Sequence, residues 1–291
     1  MPMSGELSTR LAQLKASLET LPGPVEVQVD QPLARYTAFR IGGPADLLAI
    51  AGSAEALRQV VLAAREHKVP YRVLGGGANV LVSDRGFRGL VVLNRARAIR
   101  FSAAGVVAES GTSFSTLAHK CVAQGLAGLE WAASIPGTVG GAVVGNAGAW
   151  GGDVASTLIQ ATILEPEGAT SRWPQSRLEY AYRMSILKKQ VAEAGSQAVV
   201  LEAEFALRPG DPRALGEQVA RIAAQRRERQ PRGATCGSVF KNPPGDYAGR
   251  LIEAAGLKGQ RVGQAEISPV HANFIVNHGH ATASEVMTLI E

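Results

Sequence analysis

Between Trp131 and Gly152 the chain runs for 22 residues without a charged side chain, and seven of those positions are glycine. The length and lack of charge would suit a membrane span, and Gly141-x-x-x-Gly145 has the spacing of a helix contact in lipid. Seven glycines together with Pro136 and Asn146 make a poor helix, so that reading is rejected. What the segment permits is main chain lying close against something else: a second loop, a flat ligand or a pyrophosphate. Glycine is in excess throughout, 33 of 291 residues, with an ordinary 15 prolines and no G-X-Y period, which excludes collagen-like and disordered classes. At 46% hydrophobic and 19% charged, the chain can bury a sizeable core as one large domain or two modest ones.

Around this segment the pattern is α/β. Leucines at 7, 11, 14, 18 and 21 place one apolar stripe on a helix stopped by Gly23-Pro24, either docked on the body or joined to a second copy. Val25, Val27 and Val29 alternate as a strand. An apolar run at 47–51, a helix capped by Ser53 and running to about Lys68, and strands at 71–74 and 90–93 follow. A hairpin over 99–109 with Gly105 at its turn, a helix near 113–124, and paired strands at 157–164 and 198–207 continue the order. Arg208-Pro-Gly-Asp-Pro212 is the best linker candidate. Beyond it the sequence predicts a helix to about Arg229, a loop with Gly237-Ser238, a helix over 247–255, a strand at 273–277 and a helix after Thr282.

A second glycine segment, Gly75-Gly76-Gly77-Ala-Asn79 after a strand, can form a backbone nest for an anion or a plain turn. It lacks the Lys-Ser/Thr of a P-loop and the spacing of a Rossmann fingerprint. Two such segments in one chain favour a dinucleotide with an extended pyrophosphate, and FAD fits the missing Rossmann motif better than NAD. Arg183, embedded in Tyr180-Ala-Tyr182-Arg183-Met-Ser185, needs an anionic partner, a fixed carboxylate or a substrate. In Thr235-Cys236-Gly237-Ser238-Val-Phe-Lys241-Asn242 a hydroxyl stands beside a cation and an amide, without the order of a serine hydrolase. Cys236 reads as a small packed residue.

The net charge of +5 is small for the length. Its densest run, Arg226 to Arg232, reads as the solvated end of a helix, with no interleaved aromatics to suggest nucleic acid. Cys121 and Cys236 are far apart and Met1 to Arg10 shows no leader pattern, so a disulfide framework and a signal peptide are not expected and the expected compartment is the cytoplasm. The histidines (67, 119, 271, 278, 280) match no metal-site spacing, and His278-Gly-His280 reads as a surface turn.

Taken together, Tyr36-Thr37-x-x-Arg40-x-Gly42-Gly43, Leu74-Gly-Gly-Gly-x-Asn79-x-Leu81, Ile135-Pro-Gly-x-Val-Gly-Gly, Asn146-x-Gly148-Ala149, Tyr182-Arg183-x-Ser185, Gly237-Ser-Val-Phe-Lys-Asn-Pro243, Ala255-Gly-Leu-Lys258-Gly259 and His271-Ala-Asn273-Phe resemble the UDP-N-acetylenolpyruvoylglucosamine reductase family. The likeness runs from about Tyr36 to Glu291 and matches the shorter subfamily without an inserted tyrosine loop. It implies an α/β fold of the α+β kind, with a vanillyl-alcohol-oxidase-type FAD-binding region of two lobes and a smaller α/β substrate-binding domain. The expected division is 1–30 as an N-terminal helix and strand, 31–208 as the FAD region split near 100, and 213–291 as the substrate domain.

The resemblance implies non-covalent FAD, NADPH as reductant and a UDP-sugar substrate, in a monomer without nucleic-acid or membrane partners. Thr37, Arg40, Gly75, Gly76, Gly77, Asn79, Ser134, Ile135, Pro136, Gly137, Gly140, Asn146 and Gly148 would hold the flavin. Arg183 would bind the enolpyruvyl carboxylate, Ser238 would protonate the α-carbon, and Tyr182, Lys241, Asn242 and Lys258 would lie near substrate phosphates or sugar. Members of the family continue past the helix after Thr282 into a strand, Leu-x-x-Glu-Val, whose glutamate completes the site. Neither Glu266, Glu285 nor Glu291 matches that role, so the expectation is a looser substrate domain with a fraying last helix, which binds FAD and NADPH but reduces the sugar poorly. A flavin or UDP-sugar binding protein of the same fold is the alternative class.

Overall fold

The computed structural model describes residues 5–102, 105–194 and 198–291. A first lobe is built on a four-stranded sheet of β1 (Val25–Pro32), β2 (Pro44–Ala51), β3 (Tyr71–Leu74) and β4 (Phe87–Asn94), in the order β1-β2-β4-β3. β1 and β2 are antiparallel, whereas β2 and β3 both run parallel to β4. Helix α2 (Ala54–Glu66) makes the crossover, and it starts where Ser53 accepts the Ala56 N–H. β4 is buried from Gly89 to Asn94, as a central parallel strand covered on both faces must be. Helix α1 (Gly5–Glu19) inserts Leu11, Leu14 and Leu18 into the core shared by α2 and β2. The leucine stripe is therefore docked on the body, the first of its two readings.

The second lobe is an antiparallel sheet of β5 (Ile99–Ser102), β6 (Gly105–Glu109), β7 (Leu158–Leu164), β8 (Thr170–Pro174) and β9 (Val199–Ala206), ordered β8-β7-β9-β6-β5. Gly105 opens β6, and the turn itself, 103–104, lies outside the described residues. Helix α3 (Phe114–Ala123), capped by Ser113, covers this sheet with an aromatic cluster in which the Phe114 ring meets Trp131 at 5.5 Å and Phe205 at 5.9 Å. The glycine-rich segment is not helix-free: Val139–Gly145 forms the short helix α4, which Asn146 ends in the left-handed conformation. Among the described residues no helix is long and apolar enough to cross a membrane.

Arg208–Pro209 pairs with Leu126–Ala127, and Asp211 caps α6 (Pro212–Arg229), so the proline-rich stretch is ordered. α6 buries Leu215 and Val219 in the core of the second lobe. The break in sequence pattern near 210 thus precedes a helix that packs backwards. The two lobes are stitched by Glu109, whose carboxylate accepts the N–H groups of Ala54 at 2.8 Å and Ala98 at 2.7 Å, and by Asn94 donating to Ser110 at 2.7 Å.

The C-terminal part contains α7 (Ala248–Ala254), a small sheet of β10 (Arg261–Val262), β11 (Ala265–Ile267) and β12 (Ile275–Asn277), and α8 (Ala283–Ile290). Its core of Ala265, Ile267, Ile275 and Val286 is completed by Phe39, Ile41 and Leu81 of the first lobe. Asn277 donates to the Phe39 carbonyl at 2.9 Å. α8 carries a capping box between Thr282 and Glu285, and Asp84 of the first lobe accepts the N–H groups of Ala283 at 2.7 Å and Ser284 at 3.0 Å. The helix expected to fray is therefore held at its first turn by two sets of acceptors. Burial opposes the Asp84 charge, but the Ala283 and Ser284 donors outweigh it and leave the carboxyl pKa lowered. A group with a lowered folded pKa contributes stability above its unfolded pKa, about 3.9, and loses it as pH falls through the folded value. Asp84→Ala should cost about 1 kcal/mol in urea unfolding at pH 7, the usual worth of a cap, and the gap to wild type should close in strong acid.

Candidate active site

Three of the sequence motifs converge where the lobes meet. Gly76 lies so close to Gly137 that a β-carbon on it would sit 3.0 Å from the Gly137 α-carbon, which brings the two glycine segments main chain to main chain. Gly77, at φ +59°, faces the Tyr36 carbonyl, and its own carbonyl accepts the Ala38 N–H at 2.9 Å. Thr37 staples its loop by donating to the Ile41 carbonyl at 2.9 Å and accepting the Ile41 N–H at 3.2 Å. Arg95, which no motif marked, donates to the Gly75 carbonyl at 2.9 Å. With the carbonyls of Gly75 and Gly77 engaged, the N–H groups of Gly76, Gly77, Ala78 and Asn79 donate to no acceptor among the described residues. That is the arrangement of an anion nest rather than of a plain turn.

The opposite wall has the same character. The Ser134 and Thr112 hydroxyls are buried without a hydrogen-bond partner, an expensive state unless something else meets them. Gly140 is pinned by its N–H to the Ser110 carbonyl at 2.8 Å, and the Gly137 carbonyl accepts from Phe114. Ile135 is half-buried and Pro136 lines a cavity of about 300 Å³ together with Ala38, Ala78 and Arg226. Arg226 donates to the Ser134 carbonyl, and burial lowers its pKa. It is therefore not part of a solvated helix end, although Arg229 and Arg232 are exposed. Arg40, exposed at φ +56°, and exposed Asn79 flank the nest. Free N–H groups, orphaned hydroxyls and cations around a groove built on glycine suit a dinucleotide with its pyrophosphate, so the residues fit FAD.

The Tyr180–Ser185 segment is sewn to the end of α4. Tyr180 donates to the Val143 carbonyl at 3.0 Å, Ser185 to the Val144 carbonyl at 2.6 Å, and Asn146 to the Ala181 carbonyl at 3.0 Å. The Asn146 carbonyl oxygen also accepts the Ala155 N–H at 3.1 Å, so this amide is committed to the scaffold rather than open to a ligand. Arg183, at φ +55°, uses one guanidinium nitrogen on the Gly148 carbonyl at 2.6 Å. No carboxylate pairs with it among the described residues, which removes the internal salt bridge from its two readings. Tyr182 beside it is 58% exposed.

Ser238 sits on the C-terminal domain at the edge of a second cavity of about 410 Å³, shared with Asn242, Tyr247 and His271. Asn273 sets the loop that carries it, accepting the Phe240 N–H at 2.8 Å and donating to the Phe240 carbonyl at 2.9 Å. Asn242 accepts the Ala248 N–H at 3.1 Å at the start of α7, and Lys258 pairs with Glu253 at 2.6 Å on the cavity wall. Burial pushes the Cys236 thiol up to about 11, consistent with packing rather than nucleophilic chemistry. Helix α5 (Ile186–Ala194) adds a cation the sequence did not single out, Lys188, whose lowered pKa follows from burial and from the nearness of Lys241 and Arg183. The second lobe and the C-terminal domain thus bring three cations together.

Because the Ser134 hydroxyl has no protein partner, Ser134→Ala should leave the stability of the flavin-free protein equal or slightly raised. The same change should weaken FAD by roughly three- to tenfold, one hydrogen bond's worth. Thermal melts of the flavin-free protein and a flavin titration measure the two effects separately.

The family model described as the C-terminal domain of UDP-N-acetylenolpyruvoylglucosamine reductase matches residues 229–291, and the one described as an FAD binding domain matches residues 45–173. The chain is 46% identical over 272 residues to the UDP-N-acetylenolpyruvoylglucosamine reductase of Chloroflexus aggregans, covering 92% of this chain and 91% of the relative. It is 48% identical over 264 residues to that of Rubrobacter xylanophilus, covering 90% and 87%. Among solved structures, the reductase from Thermus caldophilus superposes with a TM-score of 0.78 at 35% identity, over 91% of this chain and 92% of that one. With the glycine cradle, the Arg183 turn and the Ser238 loop all in place, the chain belongs to the UDP-N-acetylenolpyruvoylglucosamine reductase family of oxidoreductases.

Proposed function

We propose that this protein reduces UDP-N-acetylglucosamine enolpyruvate to UDP-N-acetylmuramate, with NADPH as reductant and FAD held non-covalently, as a monomer of the cytoplasm. The observation that carries the reading is the gathering of Arg183, Lys188 and Lys241, none of which forms an ion pair among the described residues, next to the loop that carries the Ser238 hydroxyl. A substrate bearing a carboxylate and a diphosphate supplies the missing negative charge. The nest of Gly75, Gly76, Gly77 and Asn79, with Thr37 and Arg40, faces Ser134, Ile135, Pro136, Gly137 and Gly140, and these would hold FAD. Asn146 and Gly148 shape its border. The chemistry FAD supplies when bound is hydride transfer from NADPH to the enolpyruvyl β-carbon.

Arg183 then has a defined task. One nitrogen is fixed on the Gly148 carbonyl, which leaves the rest of the planar fork for the substrate carboxylate. As the β-carbon becomes saturated, the α-carbon and carboxylate take on enolate charge, and the guanidinium stabilises it. Ser238 holds a proton for the α-carbon. A hydroxyl is a weak acid, but the acceptor is a strong base, and the Asn273-braced loop supplies the position that the transfer requires. Tyr182, Lys241, Asn242 and Lys258 serve the sugar and the phosphates.

The test is made on the two half-reactions. NADPH should bleach the yellow protein, and the enolpyruvyl sugar should restore the colour. Ser238→Ala should leave the first step nearly intact and slow the second by at least about 100-fold, the low end of general acid catalysis. Equal losses in both steps would make Ser238 a structural residue, and a colourless protein that still binds UDP-sugars would make this a binding protein. No cysteine or histidine stands in the Gly75–Asn79 or Ser134–Gly148 segments to tether a flavin. Acid precipitation should therefore release all of the colour into the supernatant.

A further inference from the structure

Arg183 occupies a left-handed backbone conformation, φ +55°, which non-glycine residues adopt only when their surroundings impose it. Part of the constraint is the tight turn in which Ala181 and Met184 exchange N–H···O bonds, both at 3.1 Å. The rest comes from Lys188. Its ammonium donates to the Arg183 carbonyl at 3.2 Å, and its own N–H donates at 3.2 Å to the Ser185 hydroxyl, which in turn is anchored on the Val144 carbonyl. The direction of the Arg183 carbonyl reports the conformation of that residue, so a cation fixed on it resists relaxation of the turn. This costs Lys188 something, because it is partly buried beside two further cations, Arg183 and Lys241, and makes no ion pair among the described residues. A lysine kept there against repulsion, with its ammonium on one particular carbonyl, has a task that a solvated lysine elsewhere on α5 would not.

We propose that Lys188 is the positioning residue of Arg183: it locks the left-handed turn from which the guanidinium fork reaches past Gly148 to the substrate carboxylate. The inference rests on the role given to Arg183 above. Loss of the ammonium lets the peptide after Arg183 rotate, and the fork leaves its line although its charge is retained.

The experiment follows substrate-driven reoxidation of the NADPH-reduced flavoprotein in wild type, K188M, K188R, R183K and the K188M/R183K double variant, with the visible circular dichroism of bound flavin as a check on folding. K188M is expected to slow reoxidation roughly ten- to 100-fold, the scale of a small misplacement at a reacting centre, while flavin reduction stays within about twofold of wild type. K188R keeps a cationic donor and is expected to retain most of the rate. In the R183K background K188M should add little, since a residue acting through the guanidinium fork has nothing left to position. Wild-type reoxidation in K188M, or a K188M loss that is repeated in full on top of R183K, overturns the proposal. If K188M does not fold, K188R decides alone, and a rate as low as that of R183K overturns it. A wild-type protein that the enolpyruvyl sugar does not reoxidise would instead strike the proposed function itself.

Discussion

The rest of this molecule depends on the approach of Gly76 to Gly137, main chain against main chain at the junction of two sheets of different kinds. The mixed sheet of the first lobe ends in one glycine loop, the antiparallel sheet of the second contributes the other, and their contact makes a trough lined by N–H groups. A side chain at Gly76 would press on the Gly137 main chain, and at Gly137 the φ of +106° is one that side chains rarely adopt. The buried carboxylate of Glu109, shared between the start of α2 and Ala98, fixes the angle at which the loops meet. A buried acid is acceptable there because both of its oxygens are occupied by N–H donors.

The Arg183 side of the site is assembled by a different rule. Here the chain uses side chains to capture carbonyls at the end of α4, Tyr180 on Val143 and Ser185 on Val144, and one just beyond the helix, Arg183 on Gly148. The last carbonyls of a helix need partners in any case. In this protein the partners of Val143 and Val144 come from the segment that also carries Arg183, so satisfying a helix end and setting the turn that holds the guanidinium are one act. Arg183, Lys188 and Lys241 beside it form no ion pair among the described residues, and their mutual repulsion and the burial of Lys188 are a standing cost.

Much of the architecture was legible because it is written locally. The alternation at 25–29, the Ser53 and Thr282 caps and the paired strands at 157–164 and 198–207 depend on near neighbours in the chain, and each stands where the pattern put it. α4 was not legible, since its glycines oppose helix and only the contacts of Gly140 and Val139 with Ser110 and Thr112 override that preference. The allegiance of α6 was hidden for a related reason: two prolines and a glycine announce a break in the chain without saying on which side the next helix packs. At the site, the arginine and the glycine loops are visible as unusual neighbours in sequence. Lys188, Arg95 and Arg226 are ordinary cations in ordinary contexts, and only the fold reveals that each is aimed at a carbonyl of a glycine loop, of Ser134 or of Arg183.

Phe39, Ile41 and Leu81 belong to the first lobe by sequence, yet they finish the apolar interior of the C-terminal domain. Residues 229–291 therefore do not enclose a complete interior of their own. Exchange of that region between related reductases is constrained accordingly: a chimera joined near 229 would inherit one half of a jigsaw from each parent. The parts that must travel together are separated by 186 to 247 positions of sequence, so drift at Phe39, Ile41 or Leu81 can proceed only in step with drift at Ile267, Ile275 and Val286.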